Sequence, residues 1–383
     1  MWKKILLPPL ITLLLVELIL WTIFPQGTQP PIDIHMTQDI PGLSKKVHFT
    51  KNRFGLRTNT IHRTKKEKDS YRIIVLGAST AEQATHDNDK TWAIQLEQLL
   101  QQKFPDRNIQ LGIYATGGAK THELLRWVNL HLLDLKPDLV ITLLGVNNLA
   151  TDLLHYQKSP EALTHYINAP PPTLERLCKF SQIARYIRNI RHNSVRLEYS
   201  RHNNGANFDV AGVHSFRRQY KATPLLENPE PFPINVMRQQ SYWLLNFLDE
   251  HSIQSLTLSQ PSLFKPELDT KQVGNRIYFK IPPRSKKEAQ DRTKEFQSLW
   301  FVLRNKEGYQ RLQPSEMLNA LNRLNNTQQE VALQYKRPFF PLHQHLSPTA
   351  ENFFDDCHFT DLGSSRIANA LAAPVAKIIE ADR

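Results

Sequence analysis

Cysteine is scarce in this chain of 383 residues, which contains only Cys178 and Cys357. The two lie far apart in the sequence and neither belongs to a Cys-x-x-Cys pair, so neither a disulfide framework nor a zinc site is indicated. A single bridge between them stays open if the compartment is oxidising. Acidic residues are also fewer than basic ones, and the resulting net charge of +12 predicts attraction to anionic partners without identifying them.

Other absences narrow the possible functions. No recognisable nucleic-acid-binding module accompanies the positive charge, so we predict no nucleic-acid partner. His343 and His345 form a His-x-His pair, but no nearby carboxylate or cysteine completes a ligand set. The sequence therefore predicts neither a metal site nor a cofactor, and it leaves the oligomeric state open.

The longest apolar run lies near the N-terminus, over residues 5–24. It has about the 20 residues that a helix needs to cross a bilayer. Lys3 and Lys4 precede it, which predicts a cytoplasmic N-terminus and a periplasmic or extracytoplasmic location for the rest of the chain. No Ala-x-Ala-like cleavage site follows, so we predict an uncleaved signal anchor over residues 1–24 of a single-pass membrane protein. Glu17, inside the run, either contacts another membrane helix or is protonated or satisfied by a partner.

The next stretch, residues 25–70, is predicted to be a linker. Its prolines and the charged run at 63–69 are typical of an extended tether. Within it, residues 47–57 have the composition of a short strand or hairpin.

From residue 71 onward, strand and helix patterns alternate, which is typical of an α/β domain with a parallel sheet. We predict that this domain extends over residues 71–383. Five compact apolar runs are the predicted strands: Tyr71–Leu76, Ile109–Ala115, Asp138–Leu144, Ile253–Leu258 and Pro338–Leu342.

The alternation lapses at about 151–235, which we interpret as a basic insertion or lid. Between residues 176 and 221 the only acids are Glu198 and Asp209, and isoleucines recur at helical spacing beside arginines. Such a segment could contact anionic lipid headgroups or an acidic glycan. The alternative is a solvated basic helix packed on the sheet.

Polar residues follow three of the predicted strands. Ser79 comes after the first strand, Thr116 and Gly117 after the second, and Asn147 after the third. Because ligands of parallel α/β sheets bind outside the carboxyl ends of the strands, we expect these groups to converge there. Each also has a simpler interpretation, since Ser79 could cap a helix and the other residues are common in turns.

A further candidate is the stretch Asp355-Asp356-Cys357-His358 near the end of the chain. An acid three positions before a histidine can hold Nδ1 of the imidazole, so that Nε2 acts as a base. Asp356 is the rival acid, although its position makes a direct bond to His358 less natural. Together with Ser79, these residues would form a Ser-His-Asp triad.

Four blocks of the sequence resemble the SGNH hydrolases, also called GDSL-type esterases, and the N-terminal apolar run with its glutamate resembles that of the membrane-anchored bacterial members. The blocks are Gly77-Ala78-Ser79-Thr80, Tyr114-Ala115-Thr116-Gly117, Gly145-Val146-Asn147-Asn148 and Asp355-Asp356-Cys357-His358. Members usually carry Asp where this chain has Ala78, and Asn-x-Gly in the second block. The tract at residues 52–57 and the pair Gln260-Pro261 add to the resemblance.

The resemblance implies a three-layer α/β/α flavodoxin-like fold and a catalytic triad of Ser79, Asp355 and His358. It also implies an oxyanion hole built from the N–H of Ser79, the N–H of Thr116 or Gly117, and the side-chain amide of Asn147. The expected activity is that of a serine esterase removing an acyl group, with acetate as one candidate, from an ester-bearing lipid or cell-envelope glycan. The alternatives are an O-acyltransferase acting on an envelope polysaccharide and a non-catalytic envelope binding protein.

Overall fold

The computed structural model describes most of the α/β domain and parts of the N-terminal region. The described residues are 11–19, 22, 32–35, 43, 46–52, 54–149, 160–170, 181, 183–184, 234–264, 302–305, 308–311, 314–354 and 357–382. Asp355, Asp356, Cys178 and most of the predicted insertion at 151–235 lie outside these ranges.

A five-stranded parallel sheet forms the centre of the domain. Its strands are β3 (Ser70–Gly77), β4 (Asn108–Ala115), β5 (Leu139–Leu143), β6 (Gln254–Leu258) and β9 (Phe339–Phe340). Across the sheet their order is β4-β3-β5-β6-β9. β3 and β5 each contain a run of three β-branched residues, and both strands are buried on both faces, as parallel strands covered by helices usually are. The predicted parallel sheet of five strands is therefore confirmed.

Helices cover both faces of this sheet. Alternate residues of β3 show the division, because Ile73 and Val75 belong to one buried apolar cluster while Ile74 and Leu76 belong to the other. The first face packs against Trp92–Lys103 and Asp361–Ala381, and the second against Thr121–Trp127, Ile234–Glu250 and Pro314–Gln334. The arrangement is the predicted three-layer α/β/α fold.

Shorter elements complete the described chain. The helix that begins at Thr121 continues as a π-helical turn, Val128–Leu132, and a 3-10 turn, Leu133–Leu135. The remaining elements are the helices Ser79–Glu82, Pro160–Asn168 and Leu342–His345, the 3-10 turns Asn88–Lys90 and Val146–Leu149, and the antiparallel pair β7 (Val302–Asn305) and β8 (Gly308–Arg311).

The predicted linker contains an antiparallel strand pair, β1 (Ile32–His35) and β2 (Lys46–Phe49). Beyond β2 the chain packs on the domain, with Leu56 and Ile61 fully buried. Both side chains lie over Gly112 of β4, where an added Cβ would come within 3.0 Å of each. The described part of residues 46–69 is thus an integral layer of the domain.

The N-terminal apolar run is helical at residues 11–19. No helix within the described ranges has both the length and the apolarity needed to cross a bilayer. The predicted span at 5–24 falls partly outside those ranges, so the anchor stays a prediction. The Glu17 carboxylate has hydrogen-bond partners within the chain, because its Oε2 accepts from Ser181 Oγ at 2.8 Å and from Ile183 N–H at 3.1 Å.

Candidate active site

Three predicted site segments follow neighbouring strands at the same edge of the sheet. Gly77 at the end of β3 pairs with Ala115 of β4 on one side and with Leu143 of β5 on the other. Ser79 lies two residues beyond this row and Thr116 one residue beyond it. Asn147 follows in the 3-10 turn after β5. The topology therefore brings the three segments to one edge, as the strand-end argument predicts.

Ser79 is the first residue of a single helical turn that ends at Glu82. The strand turns into this helix so tightly that a Cβ on Gly77 would lie only 2.4 Å from the Cβ of Ala81. Gln83 closes the turn in the left-handed conformation, with φ of 46°. Ser79 is half-buried at the surface of this turn and lines a cleft.

His358 lies on a small hairpin-like turn before the last helix. Phe353 and Phe359 form an isolated antiparallel bridge, and Phe354 N–H donates to the carbonyl of His358 at 3.1 Å. The imidazole stacks on the ring of Phe354, with an interplanar angle of 18°. Thr360 then caps the last helix, because its Oγ1 accepts a hydrogen bond from Gly363 N–H at 3.0 Å.

A direct contact joins the end of the serine turn to the last helix, between residues 281 positions apart in the sequence. Gln83 Nε2 donates to Ser364 Oγ at 2.6 Å, and Gln83 Oε1 accepts from Trp92 N–H at 2.8 Å. All of these atoms are buried. We call Ser79–Glu82 the nucleophile turn, after the predicted role of Ser79, and the stretch around His358 the histidine turn. The nucleophile turn is thereby attached to the helix that follows the histidine turn.

Ser79, Gly117 and His358 line one cleft. The other lining residues are Thr80, Glu82, Gln83, Ala84, Thr85, His86, Phe354 and Phe359. Thr116 and Asn147, both of which the structure describes, are not among the lining residues. The predicted acid Asp355 and its rival Asp356 fall outside the described ranges, so the choice between them stays a prediction.

The loop after β4 holds the two candidate backbone donors. Gly117 N–H donates to Glu82 Oε2 at 2.7 Å and is therefore already engaged. Thr116 is exposed, and its N–H comes directly after the Gly77–Ala115 pair of the sheet. The carbonyl of Thr116 accepts from Ala119 N–H at 3.0 Å, which closes the loop into a turn.

Asn147 and Asn148 anchor the other side of this loop. Asn147 Nδ2 donates to the carbonyl of Ala119 at 3.0 Å, and Asn148 Oδ1 accepts from both N–H and Oγ1 of Thr121. Both asparagines are buried. An amide nitrogen carries two N–H groups, so Asn147 can hold the loop with one and present the other to a ligand.

Lys51 and Glu82 form a buried ion pair that sequence reasoning missed. Lys51 Nζ lies 2.5 Å from Glu82 Oε1 and also donates to the carbonyl of Ala115 at 2.7 Å. Only a tenth of the Lys51 side chain and 3% of the Glu82 side chain are exposed, so this is not a surface pair. Nothing in the sequence distinguishes Lys51 from the other cations of the predicted linker, because the contact joins residues 31 positions apart.

Arg57, the last residue of the tract at 52–57, is fully buried, and its guanidinium lies against the end of the nucleophile turn. Its guanidinium donates to the carbonyls of Glu82, Gln83 and His86 and to Asn88 Oδ1. Burial lowers the pKa of Arg57 to about 10, partly offset by the carboxylate of Glu82. At neutral pH it remains charged and fixes the end of the nucleophile turn.

His86 is a second histidine on the cleft, and it is almost completely buried. Burial, together with the charge of Arg57, lowers the pKa of His86 to about 3. Its Nε2 lies 3.5 Å from Asp361 Oδ1. The imidazole is therefore neutral at physiological pH, and the sequence offered no signal that separated it from the other histidines.

A family model matches much of the region that carries these residues. Residues 75–234 match the GDSL-like Lipase/Acylhydrolase family. The match contains the serine, the loop after β4 and Asn147, while the histidine turn lies beyond it. It confirms the predicted enzyme class, an ester-hydrolysing serine hydrolase. Among curated proteins, none matches the chain.

Several solved structures resemble this one at low sequence identity. A structure from Parabacteroides merdae titled a GDSL-like lipase has 11% identity and a TM-score of 0.43, covering 82% of this chain and 99% of the other. The lipase/acylhydrolase from Enterococcus faecalis has 11% identity and a TM-score of 0.39, covering 80% and 96%. A catalytic mutant of Axe2, an acetylxylan esterase from Geobacillus stearothermophilus, has 9% identity and a TM-score of 0.41, covering 80% and 94%.

Proposed function

We propose that this chain, whose residues 75–234 match the GDSL-like lipase/acylhydrolase family, is a serine esterase that acts through Ser79 and His358. The observation that carries the proposal is that these two side chains, contributed by opposite ends of the domain, line one cleft at the carboxyl edge of the sheet. A serine that only capped its helix would not require a histidine on the facing turn. Asp355 is proposed as the acid that orients His358.

The proposed reaction is hydrolysis through an acyl-enzyme. Ser79 Oγ attacks the ester carbonyl carbon while His358 takes the hydroxyl proton, and the resulting imidazolium returns that proton to the leaving alcohol. Water then attacks the acyl-enzyme with His358 again as base, which releases the carboxylic acid and restores Ser79. The Asp355 carboxylate stabilises the imidazolium in both steps.

Thr116 is proposed as the backbone donor of the oxyanion hole in preference to Gly117. The N–H of Gly117 already donates to Glu82 Oε2, whereas Thr116 is an exposed residue at the end of β4. The N–H of Ser79 and the second amide hydrogen of Asn147 complete the proposed set. A group of donors arranged in advance stabilises the tetrahedral intermediate without reorganisation.

The proposed substrate is an acylated lipid or cell-envelope glycan, reached from the outer side of the membrane that residues 5–24 would cross. The support for this proposal is the apolar N-terminal run and the net charge of +12, which favours anionic lipids and acidic glycans as neighbours. Acetate is the proposed acyl group.

A direct test compares the full-length chain with Ser79→Ala on a short-chain aryl ester. We expect ester hydrolysis and covalent labelling by a fluorophosphonate in the parent chain, and neither in Ser79→Ala. Asp355→Asn should lower kcat far more than Asp356→Asn. Transfer of the acyl group to an added oligosaccharide would reassign the chain as an acyltransferase. The absence of both hydrolysis and labelling would overturn the proposal.

A further inference from the structure

We propose that the Lys51–Glu82 ion pair positions the oxyanion donor of Thr116. This inference rests on the proposed esterase function, since it assigns a role to residues around that site. Glu82 lies one helical turn after Ser79 and lines the same cleft. Lys51 belongs to the predicted linker at residues 25–70.

The pair holds both peptide groups that flank the Thr116 side chain. Lys51 Nζ binds the carbonyl of Ala115 at 2.7 Å, and Glu82 Oε2 binds the N–H of Gly117 at 2.7 Å. The Ala115 carbonyl and the Thr116 N–H belong to one planar trans peptide, in which they point in opposite directions. Fixing the carbonyl on Lys51 therefore fixes the direction of the Thr116 N–H. Fixing Gly117 N–H prevents the next peptide from rotating.

The charges of the pair explain why this arrangement is rigid. A carboxylate as buried as that of Glu82 is costly unless a cation and hydrogen bonds satisfy it, and the bond to Lys51 at 2.5 Å supplies the cation. Hydrogen bonds to charged groups are also stronger than those between neutral groups. Since Glu82 shares its helical turn with Ser79, the nucleophile and the donor loop are attached to the same side chain.

A positioning role predicts a specific kinetic pattern. Complete removal of one oxyanion donor lowers kcat by about 10²- to 10³-fold, and loosening a donor should cost less. We expect Glu82→Ala to lower kcat/KM by about 10- to 100-fold, mainly through kcat. Lys51→Met should have a similar effect. Glu82→Gln should be less impaired, because its amide oxygen can still accept from Gly117 N–H.

The decisive measurement is the inhibition constant of a trifluoromethyl ketone, which adds to Ser79 to form a tetrahedral oxyanion. In Glu82→Ala and Lys51→Met, this constant should rise by the same factor as kcat/KM falls, while KM for the aryl ester changes little. A merely structural role would lower the amount of folded enzyme without changing the inhibition constant. Glu123→Ala is the matched control, because its exposed carboxylate accepts a backbone N–H from Lys120 at the end of the same loop.

Two results would overturn the positioning role: catalysis at the parent level in the variants of Glu82 and Lys51, or reduced catalysis with an unchanged inhibition constant. If Glu82→Ala does not fold, Glu82→Gln and Lys51→Met decide the question by the same comparison. Ser79→Ala, measured in parallel, separates the two proposals. If Ser79→Ala remains active, the esterase mechanism itself is refuted. If Ser79→Ala is inactive while the Glu82 variants are as active as the parent chain, only the positioning role is refuted.

Discussion

At the scale of single residues, the two adjacent asparagines that follow β5 have different hydrogen-bond partners. Asn148 has both ends of its amide occupied, with Thr121 on Oδ1 and Met237 Sδ and Gln240 Oε1 near Nδ2. Asn147 bonds the carbonyl of Ala119 through Nδ2. It is therefore Asn147 that has an amide hydrogen available for a reacting oxygen.

We expect Asn147→Ala to lower kcat by about 10²- to 10³-fold, since it removes a proposed oxyanion donor and also releases Ala119. Steady-state hydrolysis of an aryl ester measures the loss. Asn129→Ala is a suitable control, because Asn129 also donates from Nδ2 to a backbone carbonyl, that of Ile167, in another part of the molecule. A value of kcat near that of the parent chain in Asn147→Ala would exclude Asn147 from the oxyanion hole.

Glu97 gives a residue-scale prediction about stability and pH. It is buried, and desolvation raises the pKa of its carboxyl to about 7 despite hydrogen bonds from Thr60 Oγ1 and Leu111 N–H. A carboxyl with a raised folded-state pKa stays protonated in the native state while the unfolded chain ionises. Its contribution to stability is complete below about pH 4.5 and is lost as the pH rises to about 7.

We therefore expect the free energy of unfolding of Glu97→Gln to decrease less than that of the parent chain as the pH rises from 4.5 to 7. The difference should reach on the order of 3 kcal/mol in the free energy of unfolding, from a shift of 1.36 kcal/mol per pKa unit. Urea unfolding at several pH values measures it. Identical slopes for Glu97→Gln and the parent chain would contradict the raised pKa.

At the scale of elements, the histidine turn is held between Asn352 and the start of the last helix. Thr360 N–H donates to the carbonyl of Asn352 at 3.0 Å, and Arg366 binds Asn352 Oδ1 at 2.6 Å. Gly363 lies directly against this backbone, where an added Cβ would be 2.2 Å from the Asn352 carbonyl oxygen. Such a contact cannot be relieved without moving the turn that carries His358.

Gly363→Ala should accordingly destabilise the fold by about 1 to 3 kcal/mol and reduce kcat/KM by more than the loss of folded protein explains. Urea midpoints and rates per labelled active site separate the two effects. Leu362→Ala, at an adjacent side chain that is 46% exposed, controls for substitution in the first turn of this helix. Parent-like stability and activity in Gly363→Ala would show that the turn tolerates the added methyl group.

The strands of the sheet, the strand-end residues and the buried polar contacts differ in how well the sequence predicts them. The sheet strands were predictable because compact, β-branched runs such as that of β5 indicate buried parallel strands. Ser79 and Asn147 were predictable as strand-end residues, since topology alone brings strand ends together. The roles of Lys51, Glu82 and Arg57 were not predictable, because each depends on contacts between distant residues that leave no local pattern.

At the scale of the whole molecule, the catalytic domain includes part of what composition suggests is a tether. Leu56 and Ile61 pack over β4, and Lys51 and Arg57 reach the nucleophile turn from the same stretch. Arg57 N–H also donates to the carbonyl of Ile113, and Ile113 N–H donates back to the carbonyl of Arg57, which attaches the stretch to β4. Prolines and surface charges dominate the average composition and conceal these few buried residues.

Truncation tests this extended domain boundary. A chain beginning at residue 25 retains every one of these contacts, so we expect it to unfold cooperatively and to hydrolyse an aryl ester at the rate of the full chain. A chain beginning at residue 70 loses four buried apolar side chains, Val47, Phe49, Leu56 and Ile61, each worth roughly 1.5 to 3 kcal/mol. It also leaves the carbonyls bound by Arg57 without their donor. It should therefore show a much lower urea midpoint and little activity. Equal midpoints and equal rates in the two truncated chains would mean that residues 25–69 are only a tether, while a loss in both would assign the defect to the N-terminal run.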